Sequence, residues 1–180
     1  PKEPYRVTHI GLFGGSVKDN EGKDREYVFY VPESMEPAGN LVFIFTDQGK
    51  TAKEAFRAYD WPRILEENET TGIFIAPEGD WNRENPGNDL DCFLRIYEEA
   101  FDQQYFIPTE TGLYSMGFGS GAYMSALVTI LYGSKFSSFA VNGECGFTDE
   151  LLELLAVLPS DGDDTVKKGE CPLPAWIIDG

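Results

Sequence analysis

Apolar and polar positions along the chain fall into short blocks that alternate between two periods. Tyr5 to Phe13 reads as a strand, and Arg25 to Val31 (REYVFYV) as its return, stopped by Pro32. Between them, Gly14-Gly15 and the polar stretch to Lys23 predict a hairpin loop. Leu41 to Phe45 (LVFIF) and Gly72 to Ala76 (GIFIA) are continuous apolar runs, the pattern of strands covered on both faces of a parallel sheet. Thr51 to Asn68 contains a helix bent at Trp61-Pro62. Asp89 to Gln103 carries an apolar stripe at helical spacing, with Asp89 at its N-cap. Gly112 to Met116 predicts a strand, Ser120 to Tyr132 a helix, and Phe136 to Val141 a strand. A helix over Glu150 to Leu158, a polar mobile loop over Ser160 to Glu170 and a last buried strand over Pro174 to Ile178 complete the pattern.

Strands and helices in this order predict one α/β domain over residues 1–180. Its three-layer sheet would be mostly parallel, with an antiparallel N-terminal hairpin. The last strand is followed at once by Asp179-Gly180, so the expected fold lacks its C-terminal part. Its open side predicts a homo-oligomer or a C-terminal partner segment. The start at Pro1 reads as processed, trimmed or engineered.

Composition narrows the function classes. The chain has 180 residues and 42% hydrophobic content, enough for one domain with a core. A formal net charge of −17, from 31 acidic and 14 basic residues, repels phosphate backbones and anionic lipid surfaces. Nucleic acid and membrane are therefore not expected partners. No apolar run approaches the roughly 20 residues of a membrane-spanning helix. Cys92, Cys145 and Cys171 lack a metal-ligand spacing, and no metal or other cofactor is expected. Cys92 falls within a helix pattern as a buried thiol; Cys145 and Cys171 could pair if the compartment is oxidising, a pairing that the sequence alone does not show.

The candidate chemistry lies at Gly117-Phe118-Gly119-Ser120-Gly121, between a buried strand and an apolar helix. This is the layout of a nucleophile elbow, G-x-S-x-G, with Gly119 where the serine would stand. The flanking glycines Gly117 and Gly121 fit a strained turn in which strand and helix pass close together. Glycine has no side chain to attack with. Using Ser120 instead would shift the elbow by one residue and bracket it with Phe118 and Ala122, where Phe118 would obstruct close packing. In the unshifted register, the Ser120 N–H completes an oxyanion hole and its side chain caps the helix. Ser115, inside the strand, reads as a buried, hydrogen-bonded hydroxyl.

The acidic residues Glu78, Asp80, Glu84, Asp89 and Asp91 contain enough carboxylates for glycosidase chemistry or Ca²⁺, yet Pro86 and Gly87 mark this stretch as a solvated loop. Trp61, Trp81, Phe118 and Tyr123 are expected to line a cleft at the carboxyl edge of the sheet. His9, the one histidine, reads as an ordinary strand residue.

With these residues in place, the chain resembles the α/β-hydrolase esterases related to polyhydroxybutyrate depolymerases and feruloyl esterases. The resemblance rests on Arg25-Glu26-Tyr27-Val28-Phe29-Tyr30-Val31-Pro32, on LVFIF leading into a glycine-containing loop, and on Trp61. It also rests on IFIAPEGDW over 73–81, on the elbow, and on PLPAWIIDG over 172–180. It implies an esterase scaffold, a secreted protein, and an ester-like or aromatic small ligand. The departures are specific. The nucleophile aligns with Gly119, and the oxyanion-loop His-Gly aligns with Thr46-Asp47-Gln48-Gly49. The later His-Gly histidine aligns with Asp179, and the triad Asp and His fall beyond residue 180. Two readings follow: an esterase-like domain that acts by ligand or protein binding, or a carboxylic-ester hydrolase using Ser120 and triad members from elsewhere. A serine replaced at position 119 is a third.

Overall fold

The computed structural model describes residues 11–33, 40–58, 60–67, 72–79, 81–102, 112–132, 135–143 and 175–178. In chain order the elements are β1 (Gly11–Lys18), β2 (Asp24–Val31), β3 (Asn40–Phe45), α1 (Ala52–Ala58), α2 (Trp61–Glu67) and β4 (Gly72–Pro77). Then follow α3 (Gly87–Asp102), β5 (Leu113–Phe118), α4 (Gly121–Leu131), β6 (Ser138–Asn142) and β7 (Ala175–Ile178). The strands form one sheet in the order β1-β2-β4-β3-β5-β6-β7. Strand β2 is antiparallel to both β1 and β4, and the pairs from β4 through β7 are parallel. Among the described strands β2 alone is reversed, so the edge strand β1 runs with the parallel set.

Alternation along the central strands builds the three layers. Tyr27, Phe29 and Val31 of β2 and Leu41, Phe43 and Phe45 of β3 face a core shared with α3 and α4 through Phe93, Ile96, Met124 and Leu127. The intervening Val28, Tyr30, Val42 and Ile44 face Ala52 and Phe56 of α1 and Leu65 of α2. Burying one such side chain stabilises by about 1.5–3 kcal/mol, so a strand apolar on both faces is fixed between two helical layers. Phe43 meets Phe93 edge-on, with ring centroids 4.8 Å apart.

The hairpin departs from expectation. Strand β1 continues through Gly14-Gly15 to Lys18, and the turn is confined to the residues around Asp19. Gly15 pairs with Tyr27, whose ring lies where a Cβ on Gly15 would stand. The glycine therefore accommodates an aromatic neighbour within a strand. The Asp19 carboxylate accepts the Glu21 and Lys23 N–H groups, both at 2.9 Å, and shapes the turn.

Asp89 also differs from its expected role. It lies inside α3, two residues after the helix begins, and is not the N-cap. Its carboxylate receives the Arg25 guanidinium at 2.5 Å and the Asn82 N–H at 3.1 Å. Arg25 is 2% exposed and also faces Asp19 at 3.6 Å. Asn88 donates to the second Asp19 oxygen at 3.1 Å. Burial opposes ionisation of Asp19, but bonds from Asn88, Lys23 and Glu21 and the charge of Arg25 outweigh it and hold the carboxyl below its ordinary range.

The expected bend near Trp61-Pro62 is a full break between α1 and α2, with Asp60 at φ 51° and Pro62 in the first turn of α2. A capping box opens α1: Glu54 N–H donates to Thr51 Oγ1, and Thr51 N–H donates to the Glu54 carboxylate. It fixes the C-terminal end of the loop that follows β3. Strands β6 and β7 agree with the sequence reading to within two residues. The stretches from Tyr5 to Ile10, Glu150 to Leu158 and Ser160 to Glu170 lie outside the described residues, as do His9, Asp80, Cys145, Cys171 and Asp179.

Candidate functional site: the glycine-bracketed turn after β5

Strand β5 runs two residues further than its hydrophobic pattern suggests and delivers Phe118 directly into the turn Gly119-Ser120. Each elbow glycine has its own steric reason. A Cβ on Gly117 would stand 2.6 Å from the Ala122 Cα and 2.7 Å from the Ser125 Cβ, so this glycine lets β5 lie against α4. A Cβ on Gly121 would overlap the Phe45 carbonyl oxygen and stand 2.6 Å from that of Thr46, so this one lets α4 start against the end of β3. Gly119 adopts φ 53°, the left-handed conformation that side chains resist. Its N–H donates to the Asn142 carbonyl at 2.9 Å, tying the turn to β6. The strained backbone of an elbow is thus complete.

A carboxylate from another loop reaches into this turn. A Cβ built on Gly119 would overlap the Asp47 carboxylate, which reaches in from the loop after β3. Asp47 Oδ1 accepts the Ser120 N–H at 3.0 Å. In an esterase elbow this N–H, from the residue after the nucleophile, helps hold the developing oxyanion. In return the Gln48 N–H, on the β3–α1 loop that supplies the other donor in such sites, gives its hydrogen bond to Ser120 Oγ at 2.6 Å. The Asp47-Gln48 loop and Ser120 are therefore latched together by two bonds of opposite direction, one to Asp47 and one from Gln48. Asp47 Oδ2 lies 3.8 Å from Lys50 Nζ, and the Asp47 side chain stays 44% exposed.

Ser120 does not cap α4. Its backbone is already helical, at φ −64° and ψ −25°, and its side chain makes no capping bond. The expected cap fails because the hydroxyl is held by Gln48, outside the helix. Ser115 is buried and shares a 2.5 Å hydrogen bond with the Ser125 hydroxyl beneath the elbow.

The expected cleft aromatics divide into three places. Trp81, at φ 48°, is a core residue 6% exposed, packed edge-on against Phe45 with centroids 5.4 Å apart. Its indole N–H donates to the Thr46 carbonyl at 2.6 Å, so it supports the site loop from below and does not line an open cleft. Thr46 itself is 2% exposed. Phe118 points to the other side of the sheet and meets Trp61 at 6.3 Å. Tyr123, half-buried on α4, carries the Arg83 guanidinium 5.4 Å above its ring. The structure thus brings Thr46, Asp47, Gly119 and Ser120 together, sets Trp81 beneath the Thr46 carbonyl and turns Phe118 to the other face of the sheet.

The described acids do not converge on a common centre. Glu78 faces the Glu26 N–H, Asp89 takes Arg25, and Asp91 takes Arg95 at 2.6 Å. Among the described residues, no group of three or more His, Cys, Asp or Glu is placed to hold a metal ion. No described helix is long and apolar enough to cross a membrane. Cys92 is buried, and burial pushes its thiol up to about 11.

The strand order, the single reversed strand and the glycine-bracketed turn after β5 together decide the architecture. This is the α/β-hydrolase fold. Its structural neighbours are serine esterases and related hydrolases. An S-formylglutathione hydrolase from Staphylococcus aureus matches 96% of this chain and 91% of its own, with TM-score 0.63 and 10% identity. A thermostable esterase matches 93% of this chain, with TM-score 0.60 and 16% identity, and a ferulic acid esterase matches 74%, with TM-score 0.59 and 9% identity. The chain spans 54% of the thermostable esterase and 59% of the ferulic acid esterase. No family model and no curated protein matches the sequence.

The role of Asp47 was not legible in the sequence. It stands 73 positions from Ser120, and no spacing rule connects a loop acid to a missing side chain on another strand. The one available signal is the joint departure of Thr46-Asp47 and Gly119 from the esterase pattern.

Proposed function

We propose that this chain is an esterase-like domain of the feruloyl esterase and polyhydroxybutyrate depolymerase type that has lost serine-hydrolase activity and acts by binding. Its partner is an ester-like or aromatic small molecule, or another protein segment. The observation that carries this reading is the Asp47 carboxylate in the space of the nucleophile's side chain, hydrogen-bonded to the Ser120 N–H. An acyl-transfer transition state needs a nucleophile and donors free to receive a new negative charge. Here the nucleophile position has no side chain, and a donor already serves an anion. A second anion brought to the same N–H would be repelled by the first.

The competing reading makes Ser120 the nucleophile of a carboxylic-ester hydrolase completed by residues outside this chain. Its hydroxyl does lie at the elbow, but it is turned to the Gln48 N–H from a helical backbone position. Hydrolysis of p-nitrophenyl acetate and butyrate by the full-length gene product distinguishes the two. We expect that product and its Ser120→Ala variant to show the same rate, no higher than a non-enzymatic protein control. A rate well above that control, abolished by Ser120→Ala, would overturn the loss of activity.

A further inference from the structure

Resting on that reading of the site, we infer that Asp47 is an internal plug that closes the elbow by standing in for both the nucleophile's side chain and the bound oxyanion. This goes beyond loss of the serine, because it concerns what holds the site shut. Three observations meet at one place. The carboxylate overlaps the position of a Cβ on Gly119. The same carboxylate takes the Ser120 N–H. The loop that carries it is held on the elbow by the reverse bond, Gln48 N–H to Ser120 Oγ, and from below by Trp81 on the Thr46 carbonyl.

Gly119 and Asp47 are consequently a matched pair. Any side chain at 119 must displace the carboxylate, and the carboxylate keeps its seat only while 119 is glycine. Putting a serine back at 119 would therefore not by itself rebuild an esterase elbow. It would first have to expel Asp47 from the donor it occupies. Removal of Asp47 alone would leave the elbow backbone intact and its N–H open, because the remaining contacts of the turn run through Asn142 and Gly119.

Amide hydrogen exchange of the folded chain tests the plug without reference to activity. A bond from an N–H to a carboxylate slows exchange at that amide. We expect Asp47→Ala to speed exchange at Ser120 by on the order of tenfold, with Asp47→Asn intermediate because its amide oxygen can accept the same bond. Ser120→Ala should speed exchange at Gln48. Unchanged Ser120 exchange in Asp47→Ala, or equal exchange in the Asn and Ala variants, would overturn the plug. A thermal-melt cycle provides the steric half. Gly119→Ala should lower Tm by about 5 °C or more with Asp47 present, and by roughly 2–4 °C, the backbone strain alone, in the Asp47→Ala background. Equal losses in both backgrounds would overturn the pairing. Ester hydrolysis by the unaltered chain would instead count against the loss of activity, so the two claims fail separately.

Discussion

Two sets of aspartates tie distant parts of this molecule together, and they do so for different ends. At the hairpin, Asp19 and Asp89 enclose Arg25 between the β1–β2 turn and the start of α3, with all three side chains at most 3% exposed. At the elbow, Asp47 joins the β3–α1 loop to the start of α4 through backbone N–H alone, with its side chain 44% exposed. The first arrangement satisfies a buried cation and holds the architecture. The second satisfies a donor that the fold would otherwise leave open for chemistry. The same residue type therefore acts as a buried structural tie in one place and as a half-exposed latch on the turn after β5 in the other. Burial separates the two, and it also sets the expected size of each mutational effect.

The largest effect should come from breaking the buried set. Arg25→Ala would leave two buried carboxylates without their cation, a loss of about 3–5 kcal/mol on general grounds, measurable by urea unfolding. A loss below 1 kcal/mol would place the network among weak surface pairs. Next in size is Gly121→Ala, whose new methyl meets the backbone carbonyl of Phe45. Overpacking against backbone should cost about 1–3 kcal/mol, and the same denaturation curve reads it. Asp47→Ala should change global stability by less than about 1 kcal/mol, because half-exposed contacts contribute little, while altering the elbow locally. Lys50→Ala should have the smallest effect, near zero, since the pair with Asp47 is exposed and 3.8 Å long.

A pH series sharpens the same contrast on the opposite face of the sheet. Tyr30 is buried, and its hydroxyl donates to the Glu66 carboxylate. Burial first, and then that bond and charge, push the phenol up to about 12. The fold favours the protonated phenol, so its contribution is fully present below pH 10 and is lost as pH rises through about 12. Ultraviolet titration should find this tyrosine ionising after the exposed ones. A Tyr30→Phe variant should show a weaker loss of stability over that interval.

The framework was largely readable from sequence because it depends on local signals. Apolar runs such as LVFIF mark strands that need cover on both faces, and the glycines at 117, 119 and 121 mark a turn of close approach. Where the reading departed from the structure, a contact distant in sequence prevailed over a local preference. Gly14-Gly15 resembles a loop until Tyr27 is seen lying over Gly15. Asp89 resembles an N-cap until Arg25, 64 positions away, is seen to hold it. Trp81 resembles a cleft residue until its indole is seen on the Thr46 carbonyl. The site was legible as an elbow lacking its serine, while the group that fills the gap was visible only once β3 and β5 lay side by side.

The most direct test of the central claim is intact mass of the natural gene product, at its full length, after exposure to a fluorophosphonate probe. The account predicts no adduct, because Gly119 has nothing to phosphonylate and Ser120 is held by Gln48. A single stoichiometric adduct, mapped to Ser120 by peptide sequencing and abolished by Ser120→Ala, would contradict it and make this protein a working esterase.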